Sequence, residues 1–321
     1  MKKMKKKKLL KEQKPQFEEP IRGYTNTVEK NTGPWMNRIL IGTPTTGTVR
    51  IEWVMARFGQ IIPTNWSATD NIQPVVSYIP MMYQVPDAQN LIVRNVIEKK
   101  CQWLLLLEHD NMPPPDAFIR INEYMRNEDV PVVSGLYFTN SDPPEPMIYR
   151  GRGTSFFHKW KMGEKVWCDG VPTGFLLIHN SILEAMWKES PEYWINGQLT
   201  RRVFSTPEKV WYDPESGGTY TLTGTSDLAW CERVIKEKFF EKAGWPEYQK
   251  KEYPFMVDTN IFVKHITDQG QIFPLQDPKA LGYFAATCSR NIFCCSGAER
   301  LNSIDHFCSK SDGSCIPSTS C

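Results

Sequence analysis

The chain has 321 residues, 40% of them apolar, with 38 basic and 36 acidic side chains for a formal charge of +2. That is enough apolar material for one large folded unit or two small ones, which excludes whole-chain disorder and a disulfide-stapled mini-protein. Residues 1–14 hold eight lysines and one glutamate, so everything after Lys14 is mildly acidic, at about −5, and a nucleic-acid-binding face is not expected in the body.

Residues 1–34 lack apolar periodicity and read as a flexible lysine-rich leader, able at most to touch an anionic surface. Only Leu9 and Leu10 stand where a signal peptide needs an apolar segment, and the longest apolar run, Trp103 to Leu107, is of strand length. Neither Sec export nor a transmembrane segment is expected, and a cytoplasmic setting follows. The fold begins near Trp35. Arg38 to Gly42 predicts a buried strand that delivers the loop Thr43-Pro44-Thr-Thr-Gly47 at its carboxyl end. Val49, Ile51, Val54, Met55 and Phe58 then recur at helical spacing. Pro74 to Ile79 predicts a second strand, and Asp87 a helix N-cap before Leu91, Ile92, Val96 and Ile97.

The third strand, Gln102 to Leu107, is apolar after its first residue, as expected of a strand covered on both faces. It stops in Glu108-His109-Asp110-Asn111. A helix from Asp116 to Met125 and a strand from Val130 to Phe138 complete an alternation that predicts a doubly wound, mostly parallel α/β sheet. Ligands of such sheets gather at the carboxyl ends of the strands. Further on, strands are predicted at Met147 to Tyr149, Phe175 to His179, Phe255 to Val257 and Ile261 to Val263. A helix is predicted from Ser226 to Lys238, capped by Ser226 or Asp227. Cys101, Cys168 and Cys231 are scattered through the body, which reads as reduced, whereas six cysteines crowd between Cys288 and Cys321. For that end, zinc bound by some of Cys294, Cys295, His306 and Cys308, a disulfide cluster, and a poorly ordered extension all stand as readings.

Two carboxylates at the edge of a core repel each other unless a cation or ligand offsets them, although acids also simply begin solvated loops. The segment Trp103-Leu-Leu-Leu-Leu-Glu-His-Asp-Asn-Met-Pro-Pro114 resembles the DXD region of GT-A glycosyltransferases, particularly family 2-like members. Asp87 to Asn95, Val132 to Phe138, Gly170 to His179, Ser226 to Val234 and Val263 to Ile266 are similar, in order, to further segments of that family. The resemblance covers about residues 36–267 and implies a GT-A type, Rossmann-like sheet with a smaller mixed sheet on the acceptor side. It divides a 35–282 domain into a nucleotide-binding half at 35–140 and an acceptor half at 141–282, followed by a Cys-rich tail at 283–321. It also implies a metal-dependent transfer of a monosaccharide from a nucleotide diphosphate sugar, UDP- or GDP-linked, to a hydroxyl of a glycan or other acceptor.

On the matching positions the resemblance makes Asp110 a direct ligand of Mn2+ or Mg2+ and His265 the distal ligand. Glu108 becomes a donor or metal-bound-water contact and Asp227 the catalytic base. Hard carboxylate oxygen suits either ion, and one imidazole favours manganese. Thr43, Pro44 and Arg94 are expected at the nucleotide, and Thr173 and Gly174 near the sugar. Trp160, Trp167, Trp211 and Tyr212 are candidate stacking faces. Asp227 also has a plain reading as a helix cap, Arg94 as an exposed helix residue, and His265 as a structural histidine. Two positions depart from the pattern: Glu108 replaces the usual aspartate, and Ser226 stands where glutamate is usual. A sugar nucleotidyltransferase and an inactive carbohydrate-binding protein of the same fold are the rival functions. The former is disfavoured because Thr43 to Gly47 lacks a basic, glycine-rich character.

Overall fold

The computed structural model describes residues 39–63, 66, 75–141, 143–151, 155–215 and 217–275. The lysine-rich leader and the Cys-rich end, with Cys294, Cys295, His306 and Cys308, lie outside the described residues.

The chain is an α/β protein with seven helices and a seven-stranded mixed sheet among the described residues. Strand β1 (Ile39–Gly42) leads to helix α1 (Ile51–Phe58), and β2 (Val75–Tyr78) to α2 (Val85–Glu98). Strand β3 (Trp103–Leu107) runs into the two-residue β4 (Asn111–Met112), then α3 (Ala117–Asn127) and β5 (Val132–Leu136). The short strands β6 (Tyr149–Arg150) and β7 (Ser155–Phe156) and the edge strand β8 (Lys165–Cys168) precede β9 (Phe175–His179) and α4 (Asn180–Glu189). Two hairpins follow, β10 (Glu192–Ile195) with β11 (Gln198–Arg201), and β12 (Glu208–Asp213) with β13 (Gly218–Thr223). Helices α5 (Ser226–Lys236), α6 (Phe239–Lys242) and α7 (Pro246–Gln249) lead to β14 (Phe255–Phe262), β15 (Lys264–Ile266) and β16 (Ile272–Phe273).

The strand order is β2-β1-β3-β9-β5-β14-β8. Strands β1, β2 and β3 pair in parallel, as do β5 and β14. Strands β9 and β8 run the other way. Five of the seven strands therefore share one direction, but β9 lies between β3 and β5, where consecutive parallel strands would put those two side by side. Both halves of the chain supply strands to this one sheet. The smaller sheet, β16-β15-β4, is wholly antiparallel rather than mixed.

Burial follows the sequence where a segment is apolar throughout. Every residue of β1, β3 and β5 is buried, as expected of strands covered on both faces. Cys101, Cys168 and Cys231 are free and buried. Several local expectations shift. Helix α2 starts at Val85, three residues early, because Pro86 suits the first turn; Gln84 is at the N-cap and Asp87 lies inside that turn. Thr225, not Ser226 or Asp227, occupies the N-cap of α5. The two late strands are one continuous β14, with a register shift between Asp258 and Phe262. Gly135 makes that shift possible, since a Cβ there would lie 3.0 Å from the Ile261 carbonyl oxygen.

The stripe Ile51, Met55 and Phe58 of α1 is also not core: all three are exposed. The inward side carries Trp53, whose Nε1 donates to the Glu108 carbonyl at 2.9 Å, and Arg57, whose Nη2 donates to Ser77 Oγ at 3.1 Å. Those two anchored side chains decide which face of the helix turns inward.

Candidate functional site

The carboxyl edge of the sheet gathers the candidate residues by three separate routes. Strand β3 ends at Leu107, so Glu108 and Asp110 leave the core there. Because β9 is antiparallel and pairs Phe175 with Leu107, its amino end brings Thr173 and Gly174 to the same edge, and the Glu108 N–H donates to the Gly174 carbonyl at 3.0 Å. Strand β15 folds back on β4, pairing His265 with Asn111, and the Ile266 N–H donates to the Asp110 carbonyl at 2.7 Å.

His265 Nε2 thus stands 3.1 Å from Asp110 Oδ2, across 155 positions of sequence, while Nδ1 faces the Phe138 carbonyl at 3.3 Å. Both ring nitrogens point at oxygen acceptors. A neutral imidazole satisfies only one; an imidazolium, or a cation in place of the Nε2 proton, satisfies both. Burial lowers the His265 pKa, but the hydrogen bond and charge of Asp110, with the Phe138 carbonyl, outweigh it and leave the imidazole raised. Burial likewise pushes Asp110 up, and the hydrogen bond and charge of His265, with His109 and a backbone hydrogen bond, more than offset it, so this carboxylate is lowered. Asn111 Nδ2 donates to Asp110 Oδ1 at 2.9 Å, and Asn111 Oδ1 is buried without a partner beside the pair.

Glu108 is different. Burial, then the charges of Asp110 and Asp227, push it up to about 8, against the Thr173 hydroxyl that donates to Oε1 at 3.1 Å. Thr173 is the end of a neutral relay: Ser226 Oγ donates to Gln89 Oε1 at 3.0 Å, and Gln89 Nε2 donates to Thr173 Oγ1 at 2.9 Å. Ser226 is therefore a working hydrogen-bond donor where a glutamate would have added a fourth acid to a site already holding three. Asp227, in the first turn of α5, is raised by burial despite the Thr225 hydroxyl and the Leu228 N–H, which donates to Oδ1 at 2.8 Å.

Gly174 is required by close packing. A Cβ there would sit 2.5 Å from both Asn111 Nδ2 and the Tyr137 hydroxyl, and the Gly174 N–H donates to that hydroxyl at 2.6 Å. Thr43 is buried, its N–H donating to the Tyr78 carbonyl at 3.0 Å, and the Pro44 carbonyl lies 3.2 Å from His109 Nδ1. The cleft is lined a few residues further along the same loop. Thr46, Thr48 and Arg50, with Asp110, His109 and Asp268, border an open volume of about 490 Å³. Arg50 spans it, with Nη2 2.8 Å from Glu52 Oε1 and Nη1 donating to the Asp268 carbonyl at 2.9 Å. Arg94 is engaged elsewhere, in an i,i+4 ion pair with Glu98 at 2.6 Å.

Of the aromatic candidates, Trp160 is buried in the core, which excludes it as a stacking face. Trp167 packs on Tyr248 with Lys251 over its ring, and Tyr212 is exposed; nothing is described of the Trp211 side chain. Sequence reading missed Gln89, Tyr137, Asn111 and Arg50. A polar Gln89 on an otherwise apolar helix face was the only signal for the first.

As a metal centre, Asp110 and His265 supply one hard carboxylate oxygen and one imidazole nitrogen, a donor set that fits Mn2+ or Mg2+ completed by phosphate and water oxygens. They do not make an all-protein cage: among the described residues, no group of three or more His, Cys, Asp or Glu side chains is arranged to hold an ion.

No family model and no curated protein matches the chain. Among solved structures, A197 from STIV is similar at 15% identity, over 75% of this chain and 95% of that one, with a TM-score of 0.44.

Proposed function

We propose that the protein is a metal-dependent glycosyltransferase of GT-A type, moving a monosaccharide from a nucleotide diphosphate sugar to a hydroxyl acceptor. The observation that carries this reading is the 3.1 Å approach of His265 Nε2 to Asp110 Oδ2 at the end of β3, beside a cleft that Asp110 itself lines. A divalent cation on these two side chains would supply positive charge to the departing diphosphate as the bond to the anomeric carbon breaks.

The rest of the chemistry belongs to the chain. The cleft between the Thr46 to Glu52 segment and Ile266 to Asp268 is of a size and polarity to take the nucleotide, with Arg50 its cationic side chain. Glu108, held by Thr173, would accept a donor hydroxyl or a metal-bound water. Asp227 is a half-buried carboxylate with a raised pKa, which suits a base that takes the acceptor proton as that oxygen attacks.

Incubating the protein with UDP-, GDP- and CMP-sugars and manganese tests the reading. Release of nucleoside diphosphate from a UDP- or GDP-sugar is the expected result. Pyrophosphate exchange would indicate a nucleotidyltransferase instead, and silence with every donor, despite a donor-dependent rise in melting temperature, a binding protein.

A further inference from the structure

A surface helix ordinarily buries its apolar stripe and shows its charges to water. Helix α1 departs from this, burying only Trp53 and Arg57. Ile51, Met55 and Phe58, at i, i+4 and i+7, are 65%, 69% and 65% exposed, whereas Arg57 on the opposite side is 7% exposed. The guanidinium lies 5.4 Å from the Phe118 ring centroid and is drawn down to about 10 by burial. Burying a cation while leaving three large apolar side chains outside is unfavourable in water alone.

Exposed apolar side chains also stand on the segments next to the helix. Ile61 and Ile62 follow it, and Met81 and Met82 stand out from the connection after β2, Met82 at 84% exposure. Met82 Cγ lies 3.9 Å from where a Cβ on Gly47 would be, which places this connection against the loop that leads into α1. Val49 and Ile51 are exposed and also line the cleft, so the surface borders the mouth of the candidate site.

The sequence indicates what covers it. Eight lysines and one glutamate fall in residues 1–14, and 24 residues separate Lys14 from Ile39 at the start of β1. Extended, that connection spans up to roughly 80 Å, enough to carry the lysines to any side of the protein. An apolar stripe of Ile, Met and Phe together with a polybasic segment is the two-part arrangement that holds a protein reversibly on an anionic bilayer, where either part alone is marginal. A second copy of the chain would match the apolar stripe, but would bring two like-charged leaders together.

We propose that the protein docks on an anionic membrane surface through the outer face of α1 with Ile61, Ile62, Met81 and Met82, the leader lysines holding the headgroups. The cleft then opens at the bilayer, where an acceptor carried on a lipid would be presented. The docking itself is independent of the sugar-transfer reading.

The test is sedimentation of the full chain with vesicles of phosphatidylcholine alone or mixed with phosphatidylglycerol. The protein is expected on the mixed vesicles and not on the neutral ones. Met55→Glu/Ile62→Glu weakens association by at least about tenfold, with an unchanged melting temperature showing that the variant folds; Met55→Gln is the milder control. Replacing Lys2, Lys3, Lys5, Lys6, Lys7 and Lys8 by Gln removes the salt sensitivity of binding. No association with anionic vesicles at low salt would overturn the proposal, and so would association that Met55→Glu/Ile62→Glu leaves intact. A concentration-dependent dimer that the same double variant makes monomeric would overturn it too, by assigning the face to a second copy.

Discussion

Strand β3 and helix α1 are both dominated by apolar side chains, and β3 leads into the candidate cleft that the first turn of α1 lines, yet they meet opposite surroundings. All five residues of β3 are buried, while three of the largest apolar side chains of α1 face out. A continuous apolar run has no face to offer water and can only be core. A periodic stripe specifies that one side differs from the other, but not which side is wet. In α1 that choice is made by Trp53 and Arg57, whose hydrogen bonds to the Glu108 carbonyl and to Ser77 fasten the polar-tipped side inward.

The sharpest way to break this comparison is to truncate one apolar residue on each element. Leu105→Ala in β3 is expected to cost about 2–5 kcal/mol of unfolding free energy in urea titration, whereas Met55→Gln in α1 changes it by less than about 0.5 kcal/mol. Equal losses would mean that α1 is core after all. Between these extremes lies Gly174→Ala, whose added methyl meets Asn111 and Tyr137 at 2.5 Å. It is expected to cost about 1–3 kcal/mol and to lower turnover further, because both neighbours flank Glu108 and Asp110.

A pH effect distinguishes the sheet's other edge from the site. His179, at the end of β9, stands edge-on to Trp103 and Trp245 with centroids 4.7 and 5.4 Å away, and burial draws its pKa down to about 4. The unfolded chain takes up this proton near pH 6.5 and the folded one only near 4. Its contribution to stability is therefore full above 6.5 and is lost progressively as pH falls toward 4, on the order of 3 kcal/mol at most. His179→Gln is expected to show a shallower fall of the denaturation midpoint across that window, measured against the wild type. A more modest effect, about 1 kcal/mol of stability, is expected from Ser226→Ala through the lost donor to Gln89, read in the same titration.

Much of the sheet was legible because β1, β3, β5 and β9 are short apolar runs between turn signals, and such runs report burial directly. Their order was not. Inserting β9 between β3 and β5 depends on pairing between residues some 70 apart in sequence on one side and some 45 on the other, which no local pattern records. The same holds for the site. Glu108 and Asp110 are visible as acids closing an apolar strand, but the nearness of His265 follows only from the three-residue β15 turning back on the two-residue β4, and in the sequence it rested on resemblance alone. Asp87 was misplaced as a cap because Pro86 competes for the first turn. The loop after β1 was found, but the residues lining the cleft lie just beyond Thr43 and Pro44, whose backbones are tied to Tyr78 and His109.

The central claim is that Asp110 and His265 together hold the ion on which sugar transfer depends. Its most direct test is the rate of nucleoside diphosphate release by Asp110→Ala beside the wild type, each with manganese and with EDTA. The account predicts that EDTA silences the wild type and that the variant is inactive in both conditions, by at least about a hundredfold. Wild-type rates from Asp110→Ala in the presence of EDTA would contradict it.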